Sequence, residues 1–237
     1  MKEISLLDLL KSGAHFGHTT SRWNPKMKPY IYASRNGIHI LDLEKTKAAL
    51  DKVLSYVKDI TSKGGTLLFV GTKKQTRDSL KAAAAACGMP YVNVRWLGGT
   101  FTNFRTIQKT IRKLEKLEGM KASGELQNNY TKKERLMIER EIEKLKKLFE
   151  GIQGMKRLPE AIFVTDVKHE DIAVTEARKS KVKVIGLVDT NCSPEGIDHL
   201  IPCNDDATKA VTLILNAVSE AVSESRQAQA VVPTKAE

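Results

Sequence analysis

Four short apolar runs constrain this chain most. They lie at 66–71 (Thr-Leu-Leu-Phe-Val-Gly), 91–94, 161–164 (Ala-Ile-Phe-Val) and 182–188. Each is apolar on both faces, so each must be covered on both faces. Helical patterns separate them, over 73–86, 171–179 and 207–226. Strands of this kind alternating with helices predict a parallel sheet with helices on both sides. Leu200-Ile201 is a short fifth strand. Ahead of the sheet, the pattern predicts a helix over 5–11, a polar, aromatic-dotted loop over 12–30, and a helix over 43–62 closed by Gly64-Gly65. Asn36-Gly37 between apolar runs at 30–33 and 38–41 predicts a hairpin, because both residues accept positive φ.

The alternation breaks once. Residues 105–150 hold 13 Lys or Arg, 8 Asp or Glu and no Pro. Ile107, Ile111, Leu114 and Leu117, then Leu136, Ile142, Leu145 and Phe149, recur at helical spacing. Such narrow stripes suit two helices packed on each other and leave little surface for a sheet. Thr131-Lys-Lys-Glu134 has the form of a capping box opening the second helix, with the turn over 119–130. The expected organisation is one discontinuous α/β domain (1–104 and 151–226), an inserted helical hairpin (105–150) and a disordered tail (227–237).

Net charge is +11, which favours an anionic partner. It is unevenly spread: +9 in residues 1–104, +5 in 105–150 and −3 in 151–237. Three scattered cysteines without a Cys-x-x-Cys pair fit neither a disulfide framework nor a zinc site. The sequence has no apolar stretch near the ~20 residues that span a bilayer. A soluble, intracellular protein is expected.

Catalysis finds no candidate: there is no nucleophile elbow, Ser/His/Asp order or paired carboxylates on an apolar background. Gly71-Thr-Lys-Lys-Gln75 follows a strand and opens a helix, a junction that can hold phosphate. It is neither Gly-x-Gly-x-x-Gly nor a Walker A loop, so Lys73, Lys74 and Gln75 are read as contacts to a nucleic-acid backbone. A nucleotide-binding α/β enzyme or sensor using 71–75 is the alternative. A free coiled-coil adaptor is a third reading. Asp189, Asp205 and Asp206, at or after strand ends, could gather around a structural Mg²⁺, against turn and N-cap roles for Asp205 and Asp206. No other cofactor is expected. His15 and His18 lack a third ligand, which favours packing or RNA contact.

Two segments interleave cations with aromatic, Asn and Thr residues: 20–30, with Arg22, Trp23, Asn24, Lys26 and Lys28, and 95–105, with Arg95, Trp96, Thr100, Asn103 and Arg105. Cations neutralise phosphates, aromatics stack on bases, and amides and hydroxyls reach sugars and base edges. Burial of Trp23 and Trp96 in the core is the competing reading. Arg35 at the hairpin, and Lys109, Arg112 and Lys113 at the root of the helical pair, complete the expected RNA-binding set.

These residues carry a resemblance. The chain resembles the bacterial small-subunit ribosomal protein S2 family in 6–17 (Leu-x-x-Leu-Leu-Lys-Ser-Gly-Ala-His-Phe-Gly), Arg22-Trp-Asn-Pro25, 35–43, Phe69-Val-Gly-Thr-Lys-Lys-Gln75, 95–104, 159–164, His169-Glu170 and Val188-Asp-Thr-Asn191. Phe101 replaces a frequent leucine, Lys183 a frequent proline, and the C-terminal extension is short. The resemblance implies a flavodoxin-like parallel sheet with an inserted coiled-coil hairpin. It implies a non-enzymatic constituent of the small subunit, bound to its ribosomal RNA and neighbouring proteins, including the large mRNA-binding protein S1. It implies no membrane and no small-molecule substrate. The helical insert points to a bacterial-type ribosome in the cytoplasm, or to an organellar one.

Overall fold

Ser5 and Asp42 each open a helix in the way their side chains allow. Ser5 accepts from the Asp8 N–H and closes a capping box over α1 (Leu6–Ser12). The Asp42 carboxylate accepts from the N–H groups of Glu44 and Lys45 and starts α2 (Leu43–Ser62). The computed structural model describes residues 4–231, the side chains of 228–231 excepted. Between α1 and α2 lies a three-stranded antiparallel sheet, β1 (Phe16–Thr19), β2 (Ile31–Arg35) and β3 (Ile38–Leu41), in the order β1-β3-β2. The β2–β3 hairpin turns where expected, with Asn36 and Gly37 at φ 51° and 74°. β1 falls inside the stretch expected to be loop, and a 3₁₀ turn over Pro25–Tyr30 follows it.

The second sheet is wholly parallel: β4 (Leu67–Val70), β5 (Tyr91–Val92), β6 (Ala161–Val164), β7 (Lys183–Val188) and β8 (His199–Pro202). Its order, β5-β4-β6-β7-β8, is the doubly wound flavodoxin-like order. Successive residues of β4 enter opposite cores. Leu67 and Phe69 join the side chains of α1, α2, α3 (Arg77–Cys87) and α8 (Thr208–Val231). Leu68 and Val70 join those of α7 (Asp171–Lys179) and of α4 (Phe104–Ala122) and α6 (Lys132–Phe149). Both faces are covered, as the apolar runs require. α8 continues five residues past its expected end at Arg226, into the expected tail; 232–237 lie outside the described residues. No described helix is long and apolar enough to cross a membrane.

α4 and α6 pack side by side, joined through the short α5 (Glu125–Asn129), which takes up part of the expected turn. The Thr131 capping box forms. Ion pairs cross the helices at Lys113–Glu141, Lys121–Glu139 and Lys146–Glu118. The stripes are not confined to the pair, however. Ile107, Ile111, Leu114, Ile142 and Phe149 share one buried cluster with Leu68, Val70, Ile162 and Val164 of the sheet. The expectation that the stripes leave little surface for a sheet is corrected at the root of the insert.

Candidate nucleic-acid interface

In an open parallel sheet the loops at the carboxyl ends of the strands meet at the point where strand order reverses, here between β4 and β6. Lys73, just past β4, enters that crevice. Its ammonium lies 2.6 Å from Asp166, 3.0 Å from Asp205 and 2.8 Å from Asp206. Burial works against its charge, but the three carboxylates outweigh burial and hold its pKa well above the ordinary lysine value. Asp205 is pushed up to about 7, first by burial and then by Asp166, with Lys73 opposing. Two of the three carboxylates expected to gather around a Mg²⁺, Asp205 and Asp206, flank this ammonium together with Asp166, and the third, Asp189, contacts His18. Among the described residues no three His, Cys, Asp or Glu side chains are placed to share a metal ion.

The 71–75 loop is also filled from within. The Thr72 N–H and hydroxyl both donate to Oε1 of Glu170, each at 2.7 Å. This buried carboxylate takes the donors a nucleotide phosphate would need, and α3 starts only at Arg77. The nucleotide-binding alternative loses its anchor here.

The third occupant of the crevice is the N-terminal segment. The His18 N–H donates to Thr190 Oγ1 at 2.8 Å, and the Asn24 N–H donates to the Thr190 carbonyl at 2.7 Å. A Cβ on Gly17 would come within 2.6 Å of Thr190 Cγ2, so only glycine lets β1 approach so closely. His18 Nδ1 sits 3.0 Å from buried Asp189, an ion-pair contact rather than an aligned hydrogen bond, and Nε2 sits 3.5 Å from Asp206. Asp189 raises the pKa of His18 against the opposing effect of burial. His18 is therefore a packing residue, one of the two roles open to it.

This seating fixes where the expected RNA residues fall. Segment 22–28 rides on the loop after β7, with Asn24 capping the 3₁₀ turn and Lys26 2.6 Å from Glu195. The Thr20 N–H donates to the Gly37 carbonyl, which brings the hairpin tip and Arg35 alongside. Lys74 and Gln75 follow β4, and Arg95 follows β5. The loops after β4, β5 and β7 leave the carboxyl edge of the parallel sheet, and segment 22–28 is seated on the last of them. Arg22, Lys28, Arg35, Lys74, Arg95, Arg105, Lys109 and Arg112 are exposed. None of these eight has an ion pair among the described residues. Lys113 is paired with Glu141, and Trp23 is half-buried with its ring 4.9 Å from His39.

Three expected contacts turn inward. Lys73 is committed to its carboxylates. Trp96 and Thr100 are 7% and 3% exposed. The Trp96 indole N–H donates to Glu176 Oε1 at 3.3 Å, and the N–H groups of Gly99, Phe101 and Thr102 converge on the same carboxylate. Burial raises the Glu176 pKa, but these donors outweigh burial and hold it below the usual glutamate range. Glu176 thus folds loop 96–102 while exposed Asn103 and Arg105 remain at its far end. Sequence reasoning missed Glu176 and Asp166. A lone acid on an otherwise ordinary helix or loop was the only signal each offered.

A family model described as Ribosomal protein S2 matches residues 9–225. The "Small ribosomal subunit protein uS2" of Geotalea uraniireducens (strain Rf4) is 50% identical over 229 residues, covering 97% of this chain and 89% of that protein.

Proposed function

The chain belongs to the ribosomal protein S2 family, and from that premise we propose that its cationic carboxyl-edge face seats it on small-subunit ribosomal RNA. It is a structural constituent of the small ribosomal subunit, with ribosomal RNA and ribosomal proteins as partners. That role is non-enzymatic, in keeping with a switch-point crevice filled by Lys73, Glu170 and His18. One observation carries the RNA assignment: exposed cations without an ion pair lie on the loops after β4 and β5, Lys74 and Arg95, and on the segment seated on the loop after β7, Arg22 and Lys28. Phosphate contacts require cations of this sort and no enclosed pocket.

The proposal extends to a protein-facing side. Leu6, Leu7 and Leu10 of α1 are 41–54% exposed, Phe16 is 51% and Tyr32 is 78% exposed. A cleft of about 570 Å³ runs between α1 and the three-stranded sheet, lined by those leucines, His15 and Tyr32. We assign it to an apolar segment of protein S1, on a bacterial-type ribosome in the cytoplasm. One reconstitution tests both faces. R22E/K26E/K28E lowers incorporation into small subunits and flattens the salt dependence of RNA binding, by about one log–log unit for each phosphate no longer held. L7E/Y32E leaves incorporation intact and loses S1 on sedimentation. Undiminished incorporation and RNA affinity in the first variant overturn the RNA face. Retained S1 in the second overturns the protein face.

A further inference from the structure

Residues 151–237 are net acidic, yet they help build a basic groove at the edge of the parallel sheet. A cleft of about 450 Å³ beside edge strand β8 is lined by Arg178, Lys181, Lys183 and the 196–198 turn. A second cleft, of about 350 Å³, shares Asp198 and continues to Lys45 and Lys52 on α2. Five cations face one carboxylate there. Asp198 is taken by Lys183 at 2.6 Å, and Lys45 by Asp42 and the Pro29 carbonyl. Arg178, Lys181 and Lys52 have no ion pair or side-chain hydrogen bond among the described residues.

Two of these three sit at unusual backbone. The Arg178 guanidinium lies against Gly196, which has φ +80°, and a Cβ there, at 2.5 Å from the guanidinium carbon, would make the arginine shift. Lys181 sits in the left-handed region at φ 59°. Its N–H donates to the Arg178 carbonyl, and the Val182 N–H to the Ala177 carbonyl, closing α7. Glycine is the ordinary residue in such a closure, and a lysine there is strained. The charge is not needed for the helix dipole, because Arg178 and Lys179 already occupy the last turn of α7. Strain retained under an unpaired, exposed cation points to a ligand.

We propose that this edge groove is a second surface for the sugar–phosphate backbone of small-subunit ribosomal RNA, with Arg178 and Lys181 on phosphates and Lys52 flanking them. The proposal rests on the RNA-binding reading above and adds a surface whose cations lie outside segment 22–28, with Tyr30 bordering its second cleft. RNA fits better than a protein partner. No exposed large apolar side chain lines the groove to anchor a protein interface, whereas phosphate needs only the cations.

K181G separates binding from capping because the two predict opposite signs. Glycine relieves the strained φ, so the midpoint of thermal unfolding of the full chain rises. Its affinity for a small-subunit ribosomal RNA transcript falls several-fold at 0.1 M salt, and the log–log salt slope falls by about one. R178Q/K181G lowers the slope by about two, and the nucleotides it exposes to hydroxyl radicals differ from those exposed by R22E/K28E. A stabilised K181G with unchanged affinity, slope and footprint, beside a weakened R22E/K28E, overturns this groove and leaves the first face standing. Wild-type protein that fails to bind the transcript removes both. Loss of a neighbouring protein with an intact RNA footprint also overturns the proposal, in favour of an acidic protein partner.

Discussion

Glu176 anchors loop 96–102 through one side chain, and truncating it would take the acceptor from five donors, of which the Trp96 indole N–H and the Phe101 N–H are buried. A buried donor left without an acceptor costs about 1–3 kcal/mol. With two such donors, E176A should therefore lower stability by at least about 2 kcal/mol, measured by denaturant unfolding. The pH dependence has a definite sign. A carboxyl whose folded pKa lies below its unfolded value, near 4.3, adds stability above that value and loses it as pH falls through the folded pKa. The penalty of E176A should thus be full at pH 7 and shrink in acid, and a penalty independent of pH down to 3 would contradict the assignment. Residue type was legible in this loop but direction was not. Trp96 and Arg95 are neighbours in an interleaved segment, yet one is buried on Glu176 and the other exposed. What decides between them is an acid about 80 positions away, whose partners are mostly backbone N–H groups with no signature in sequence. Lys73 and Lys74 divide in the same way, because Asp166, Asp205 and Asp206 face only the first.

At the scale of elements, boundaries were legible where a local side chain sets them. Asp42 caps α2, Asn36-Gly37 turns the hairpin and Thr131 opens α6, each by contacts within four residues. They were not legible where a distant group sets them. β1 lacks an apolar alternation and exists through pairing with β3 and the clasp on Thr190. α3 starts late because Glu170 and the carboxylates around Lys73 hold the preceding loop. The root of the insert belongs to this group too, since its stripe reveals spacing and not what covers it. Excising 105–150 for a short linker should expose the second core, costing about 2–5 kcal/mol for each large side chain removed from it, and abolish cooperative unfolding. Removing only 116–138, which spares Ile107, Ile111, Leu114, Ile142 and Phe149, should keep a cooperative transition in calorimetry. A stable full excision would establish 105–150 as an independent unit and the shared core as incidental.

For the whole molecule, the contact between the N-terminal segment and the parallel sheet sets how stability varies near neutrality. The His18 pKa is raised in the folded state, so its contribution is fully present below the unfolded value near 6.5 and fades as pH rises through the folded one. H18Q should cost about 1 kcal/mol at pH 6 and markedly less at pH 9, read from parallel thermal unfolding curves. Equal costs at both would show that Asp189 does not hold a charged imidazole. The same contact orders events in time. His18 and Thr190 lie 172 positions apart. At roughly 5–20 residues per second, a ribosome making this chain finishes 22–28 on the order of ten seconds or more before it makes their seat. During translation segment 22–28 therefore has no seat until Thr190 has been made, and the proposed RNA face takes its shape only after that point.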